Sequence, residues 1–352
     1  MKRRFIFLIV ILFPLLLSDC GGNKITVEVP PPKPVEKPDD TTTPDTPGDE
    51  KPDEKPDETH PWDANRGKVV TPSGTGWTTS TVADGVVYYA FSGKDALSNS
   101  QQKVYVVDLD LSNPKYAVKL TYYNPSVVVS QVFKDHNNAV AAINAGYELA
   151  SIVVKVDGKV WSMMPNNVIG TTTVPQWKDE GALYIEGDRD ITIAFDGKGK
   201  TIAQQRSFYN SSKHRNIITS APMLIDDFEP VGETFADAGL TSSQINKLDY
   251  EDPLRHQGVR HPRTVVAKTE NNHFLMIAID GRRTSSAGMT AKEVTQFLVK
   301  HFNPQYALNM DGGGSTALCV RGLGKADTHL VNAPTDEEGE RKRDTHFVIV
   351  EK

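Results

Sequence analysis

Four short stretches of the chain put acidic, basic and hydroxyl side chains at the ends of apolar runs. The longest is Asn309-Met310-Asp311-Gly312-Gly313-Gly314-Ser315-Thr316. Three glycines in a row cost chain entropy unless the backbone must do something a side chain would forbid. Glycine backbone reaches positive φ and can turn successive N–H groups toward an anion. Ser315 and Thr316 add hydroxyl donors, and Asp311 offers a base, a nucleophile or a metal ligand. A tight turn capped by Asp311 would need fewer glycines, so the stretch is read as functional.

The second stretch repeats the theme. The run Phe274 to Ile279 ends in Asp280-Gly281-Arg282-Arg283, and Thr284-Ser285-Ser286-Ala287-Gly288 follows. Arg282 can grip a phosphate or carboxylate with two parallel N–H donors. Taken alone, an Asp-Gly turn between solvated arginines explains the pattern equally well. In the third stretch, His261-Pro262-Arg263-Thr264, Arg263 enters a strand, where a structural ion pair is the plainer role. The fourth, Asn144-Ala145-Gly146-Tyr147-Glu148, offers an amide to orient a sugar and a carboxylate partner, Glu148. His256, His261 and His273 lack zinc spacing, and no cysteine cluster accompanies them. A divalent cation with oxygen ligands, calcium or magnesium, is compatible with Asp280 or Asp311. Neither a Gly-x-Ser-x-Gly elbow nor a Walker loop occurs.

These residues need a scaffold of strands. Val86 to Phe91, Val104 to Leu109, Tyr116 to Tyr122, Ala139 to Asn144, Ile152 to Val156 and Ala182 to Ile185 are rich in β-branched and aromatic residues. So are Ile191 to Phe195, Thr264 to Ala267, Phe274 to Ile279, Tyr306 to Asn309 and Phe347 to Val350. Asp157-Gly158 and Asp196-Gly197 predict hairpin turns. Thr290-Ala291-Lys292-Glu293 is a capping box ahead of Val294, Phe297, Leu298 and Phe302, which predicts a helix ending near Asn303-Pro304. Ser242 to Leu248 predicts a shorter one. The expected fold class is α+β: a mixed, largely antiparallel sheet with a few packed helices, in a single catalytic domain over residues 66–352.

The remainder reads as targeting and tether. Residues 1–20 form a signal peptide, with Lys2, Arg3 and Arg4 ahead of the apolar run Phe5 to Phe13. That run is too short for a bilayer span, which takes roughly 20 apolar residues. Leu17-Ser18-Asp19-Cys20 resembles a lipobox, although Asp19 stands where a small residue is usual, and makes Cys20 the expected lipidation site. Residues 21–65 are a Pro/Asp/Glu-rich linker expected to stay disordered. In polyproline geometry its ~40 residues reach on the order of 100 Å. The expected location is that of an exported lipoprotein held at the bacterial cell envelope, in the periplasm or on the cell surface. Residues 21–60 carry 11 acidic and 5 basic side chains, so the net charge of −6 resides there and residues 61–352 are close to neutral. Without a basic stripe, nucleic acid is not an expected partner. Cys319, in an apolar stretch, reads as a small buried hydrophobe.

In this order the stretches resemble the phosphodiester glycosidase family. The matching residues are Asn144-Ala145-Gly146-Tyr147, Ser220-Ala221-Pro222-Met223-Leu224, Arg260-His261-Pro262-Arg263-Thr264, Asp280-Gly281-Arg282, Ser286-Ala287-Gly288-Met289-Thr290 and Asn309 to Thr316. Asn332-Ala333-Pro334-Thr335-Asp336 with Glu340-Arg341 extends the resemblance, which covers roughly residues 139–350. The chain departs from the family pattern at Ala145, at Tyr147-Glu148 and in a long insertion from Glu233 to Gly258. The resemblance implies hydrolysis of a sugar-1-phosphodiester to a free sugar and a phosphomonoester, a good leaving group with a second pKa of about 6. It implies that Asp311 or Asp280 activates water or attacks, with the other as partner; Glu148, where the chain departs from the family pattern, is a further candidate catalytic carboxylate by its own chemistry. It places substrate or phosphate contacts at Asn144, Arg263, Arg282, Ser286, Gly312, Gly313, Gly314, Ser315 and Thr316. The expected partners are a carbohydrate or sugar-phosphate substrate and, through the lipid, a membrane. Two other functions fit the same residues: a glycan-binding lipoprotein without catalysis, and a glycosidase for an exopolysaccharide or wall polymer.

Overall fold

The computed structural model describes residues 61–164, 178, 180–232 and 239–352. Cys20, the signal peptide and the linker as far as His60 lie outside the described residues.

The chain begins with three strands side by side, β1 (Trp77–Ala83), β2 (Val86–Asp95) and β3 (Ser100–Asp110). It then starts a second sheet with β4 (Tyr116–Val127), helix α1 (Val129–Asp135) and β5 (Ala139–Asn144). A third sheet follows from β6 (Val154–Val156), β7 (Lys159–Ser162), β8 (Gly181–Glu186) and β9 (Asp190–Ala194), then helix α2 (Ile202–Ser211) and β10 (Asn216–Ser220). β11 (Met223–Ile225) returns to the first sheet. Short helices α3 (Ser242–Ile245) and α4 (Pro253–Gly258) lead to β12 (Arg263–Lys268), β13 (His273–Ile279), helix α5 (Ala291–His301) and β14 (Tyr306–Asn309). β15 (Leu318–Val320) and β16 (Arg343–Glu351) complete the second sheet. The strand orders are β1-β2-β3-β13-β12-β14-β11, β15-β5-β16-β4 and β7-β6-β10-β8-β9.

The fold is α+β, and the expected sheet is resolved into three. Among the described residues every strand ladder is antiparallel. Asp157-Gly158 turns the β6–β7 hairpin with both residues at positive φ. Asp196-Gly197 instead leads into α2.

The first sheet is covered on both faces, which explains why β12, β13 and β14 read as unbroken apolar runs. Alternate residues make the two contacts. Val266, Phe274, Met276 and Leu308 pack toward Ile143, Ile218 and Phe347 of the other sheets. Val265, Leu275, Ile277 and Ala307 pack against Val294, Phe297 and Leu298 of α5. Each of those α5 side chains contributes about 1.5–3 kcal/mol by leaving water. The helix starts where the sequence predicts, with Thr290 accepting from Glu293 N (3.1 Å) and Glu293 from Thr290 N (2.9 Å).

This register brings the functional stretches to one end of the first sheet. Arg263 at the start of β12 faces Ile279 at the end of β13, and Val265 faces Asn309 at the end of β14. The second sheet meets that end through the last residue of β5 and the first of β16.

Candidate active site

The loop after β14 joins two sheets. Met310 N donates to Thr264 O (2.7 Å), and Asp311 N to Ala145 O (3.0 Å). Asn144, fully buried, clamps the loop by donating Nδ2–H to Asp311 O (2.7 Å), while its Oδ1 accepts from Thr264 Oγ1 (3.0 Å) and Ala317 N (3.1 Å). Gly313 holds φ at +61°, a conformation costly for other residues. At Gly314 a side chain would collide with the Asp336 carboxylate and the Arg341 guanidinium, which form a bidentate pair (2.7 and 3.0 Å) against the bare backbone. The glycines therefore serve close packing. The N–H groups of Gly313, Ser315 and Thr316 are spent on the carbonyls of Pro262, Gly312 and Gly313. The expected run of successive N–H groups facing an anion is corrected accordingly.

A pocket of about 170 Å³ opens on this loop. Asp311, Glu148, Arg263, Arg282 and Gly312 to Gly314 line it, as the sequence led us to expect. Asp311 is 8 % exposed. Arg343 Nε stands 3.0 Å from its Oδ2 but out of line, so neither atom makes a hydrogen bond. Burial raises the Asp311 carboxyl above its ordinary value, more than the nearby Arg343 charge lowers it. Glu148 is displaced the other way. Partial burial pushes it up, but the hydrogen bond and charge of Lys178 outweigh that and hold it below the ordinary range. Lys178 Nζ lies 2.5 Å from Glu148 and 2.9 Å from Glu251, tying two carboxylates together.

The pocket floor is cationic. Arg263, 1 % exposed, spends Nε on Met289 O (2.9 Å) and Nη2 on His256 O (2.8 Å) and Val259 O (3.1 Å). Burial without a counter-ion lowers its pKa to about 10. Among the described residues neither Arg263 nor Arg282 has a carboxylate partner. The expected ion pair of Arg263 is therefore absent, and a buried guanidinium of this kind calls for an anion. Arg282 Nη2 donates to His261 Nδ1 (3.2 Å), which places the His261 proton on Nε2. Burial, then Arg263 and Arg282, pull the His261 pKa down to about 3. Burial and Arg263 depress His256 as well, so both rings are neutral at physiological pH. Tyr147 OH donates to Ala221 O (2.9 Å), accepts from Asn309 (3.1 Å) and meets His256 Nε2 at 2.9 Å. That network fixes the back wall.

Five expected site residues do not line the pocket. Asp280 is buried nearby, but its Oδ1 accepts from Asn332 Nδ2 (3.2 Å) and Ala333 N (3.0 Å), and its Oδ2 from Tyr105 OH (3.3 Å). It anchors the 332–336 loop. Ser286 is buried beneath it, bonded to Asp280 O (2.8 Å) and Lys103 N (3.0 Å). Thr316 points inward to Thr264 (3.2 Å), and Ser315 is fully buried. Asn144 faces the loop rather than solvent. Conversely, Lys178, Tyr250, Glu251, Arg341 and Arg343 line the pocket without having been singled out. The Glu340-Arg341 motif hinted at one of them; the others come from segments with no local signal.

A cation does not fit the residues present. The Asp280 oxygens are already occupied, Asp311 faces Arg343, and among the described residues no three acidic, His or Cys side chains gather. A larger cleft of about 660 Å³, beside Tyr122 and Trp161, has neither a buried carboxylate nor an arginine in its lining. Among the described residues, no helix is long and apolar enough to cross a membrane.

Comparison with known families matches residues 137–350 to phosphodiester glycosidase. No curated protein matches the sequence. Among solved structures, the zebrafish N-acetylglucosamine-1-phosphodiester alpha-N-acetylglucosaminidase catalytic domain, auto-inhibited by its pro-peptide, is similar at 15% identity and TM-score 0.49 (81% of this chain, 87% of that one). A hypothetical protein from Synechocystis is similar at 14% and 0.46 (80% and 64%). A protein from Burkholderia pseudomallei is similar at 12% and 0.47 (81% and 98%). The family match spans more than half of the chain and contains the pocket's Asp311, Arg263 and Glu148, so this protein belongs to the phosphodiester glycosidase family and is a hydrolase of that type.

Proposed function

We propose that the protein hydrolyses the bond between an anomeric carbon and phosphate in sugar-1-phosphodiesters of surface or environmental glycans. The observation that carries this reading is one pocket holding two carboxylates displaced in opposite directions beside two arginines without carboxylate partners. Such a split assigns the roles of acid and base. Asp311, whose carboxyl burial displaces upward, is the group that gives a proton to the departing phosphate oxygen. Glu148, lowered and paired with Lys178, stays ionised and takes a proton from water as that water bonds to the anomeric carbon. The carbon–oxygen bond breaks, its electron pair leaves with the phosphomonoester, and a free sugar remains. Arg263 and Arg282 hold the phosphate, where a dry, fixed charge is worth more than in water. Export through the signal peptide and anchoring at Cys20 would place this site on the envelope, with residues 21–60 as tether. The expected linker end at 65 is corrected, because Pro61–Asn65 forms a 3-10 turn held to the domain by Asn303 Nδ2 donating to Asn65 O (2.7 Å).

The test is incubation with sugar-1-phosphodiesters and with ordinary glycosides, with and without chelator. Release of phosphomonoester from the former, unaffected by chelator, is expected. Tight ligand binding without product would instead favour a binder, and turnover of plain glycosides alone would move the substrate to another polymer.

A further inference from the structure

The pocket mouth carries an aromatic ring that the reaction above does not use. Tyr250 is 63 % exposed and lines the same pocket as Asp311 and Glu148. It belongs to the insertion from Glu233 to Gly258, whose residues 239–258 are described. A turn closed by Asp252 N donating to Asp249 O (3.0 Å) presents Tyr250 and Glu251 at its two central positions. The turn is held at both ends. Asp252 caps α4 by accepting from Leu254 N (2.8 Å), and Glu251 is tied to Lys178 (2.9 Å). Arg255 lies 5.1 Å from the centre of the Tyr250 ring and braces one face. The exposure of Tyr250 therefore belongs mainly to the other face and the rim.

We infer that Tyr250 is the stacking platform for the sugar and that the turn around it, residues 249–252, sets which sugar is accepted. A pyranose presents a flat face of C–H groups, which suits an aromatic face, and a rim of hydroxyls, which suits carboxylates. Glu148 and Glu251 stand beside the ring, joined by Lys178. The ligand class is a pyranose, stacked on the ring by its C–H face with its hydroxyls toward the two carboxylates. The phosphate lies away from this wall, at Arg263 and Arg282. The inference rests on the proposed phosphodiester chemistry for its place in the reaction, but sugar binding can be read without turnover.

The experiment titrates the whole protein and Tyr250→Ala with glucose, N-acetylglucosamine and inorganic phosphate by calorimetry. Neutral sugars should bind the parent and lose about tenfold in affinity in the variant, a change of 1.4 kcal/mol by the usual conversion. Phosphate affinity should not change. Tyr250→Phe should bind like the parent, since the ring and not the hydroxyl does the stacking. With a phosphodiester substrate, Tyr250→Ala should raise KM about tenfold and leave kcat within about twofold, the pattern of lost uniform binding. Equal sugar affinity in parent and Tyr250→Ala overturns the inference. So does a parallel loss of phosphate affinity, which would make the ring a structural brace. Should the parent fail to cleave any phosphodiester while sugar binding still depends on Tyr250, the proposed reaction falls and the platform stands.

Discussion

The ends of β13 and β14 look alike in sequence and differ in use. Each is a buried apolar strand that runs into an aspartate and glycine, Asp280-Gly281 and Asp311-Gly312. They lie at the same end of the same sheet. Asp280 is enclosed by Tyr105, Asn332 and Ala333, and its oxygens accept from all three. Asp311 opens on a pocket, with Oδ2 facing Arg343 and no hydrogen bond. A carboxylate at a strand end is enclosed or opens on a pocket according to what the rest of the chain lays over it. Here that cover is the 332–336 loop, which seals one aspartate and leaves the other accessible.

Paired substitutions are the strongest way to break this comparison. Asp311→Asn should lower kcat on the order of a thousandfold, the scale of a lost general acid, with little change in thermal midpoint. Asp280→Ala should leave the Asn332 and Ala333 donors unpaired and cost about 1–3 kcal/mol for each, with activity lost only as far as the fold is lost. Measured turnover and melting curves for both variants decide it. Equal loss of kcat per folded molecule would show that the two aspartates share the chemistry.

The pH profile comes next. The proposed mechanism needs Asp311 protonated and Glu148 ionised, so kcat/KM should fall as pH rises through the raised Asp311 value and as it falls through the lowered Glu148 value. Glu148→Gln should cut kcat about a hundredfold and abolish the acid limb while keeping the alkaline one. An unchanged acid limb would remove Glu148 from the mechanism.

Asn144 tests positioning. It touches the Asp311 carbonyl, not the pocket, so Asn144→Asp, which can no longer donate there, should lower kcat about tenfold or more with KM little changed. A rise in KM at constant kcat would return Asn144 to the substrate.

The smallest effect concerns a third carboxylate, Glu180, which accepts from Met223 N (3.0 Å) and is pushed by burial up to about 7. A raised carboxyl keeps a proton in the native state that the unfolded chain releases. Its stabilising contribution is complete below the ordinary value of 4.5 and is lost as pH rises to about 7. Glu180→Gln should therefore raise the thermal midpoint more at pH 8 than at pH 5; equal shifts would contradict the assignment.

Much of the scaffold was legible because the signals are local. β5 and β14 fall on the apolar runs Ala139 to Asn144 and Tyr306 to Asn309, and α5 begins at its capping box. β1 (Trp77–Ala83) escaped because four of its seven residues are threonine or serine and its middle is exposed, so no apolar face announces it. α2 escaped for a similar reason, with few buried side chains on an otherwise polar helix. In the site, strand-end position and family resemblance point to Asp311 and Arg263, and the residue chemistry after β5 points to Glu148; the pocket brings the three together. Asp280 and Ser286 were misplaced because pattern reading sees the element but not its cover. Lys178, Glu251 and Arg343 were missed because each reaches the pocket from a distant segment and carries no motif.

The start of β16 has a further consequence. Arg341 and Arg343 close one wall of the pocket, and β16 then runs between β5 and β4. A ribosome that has finished everything up to Glu340 has made all the carboxylates of the site, but neither of these arginines nor β16, one of the two inner strands of the second sheet. The pocket is therefore complete only once the last strand is made, and a nascent chain lacks one of its walls.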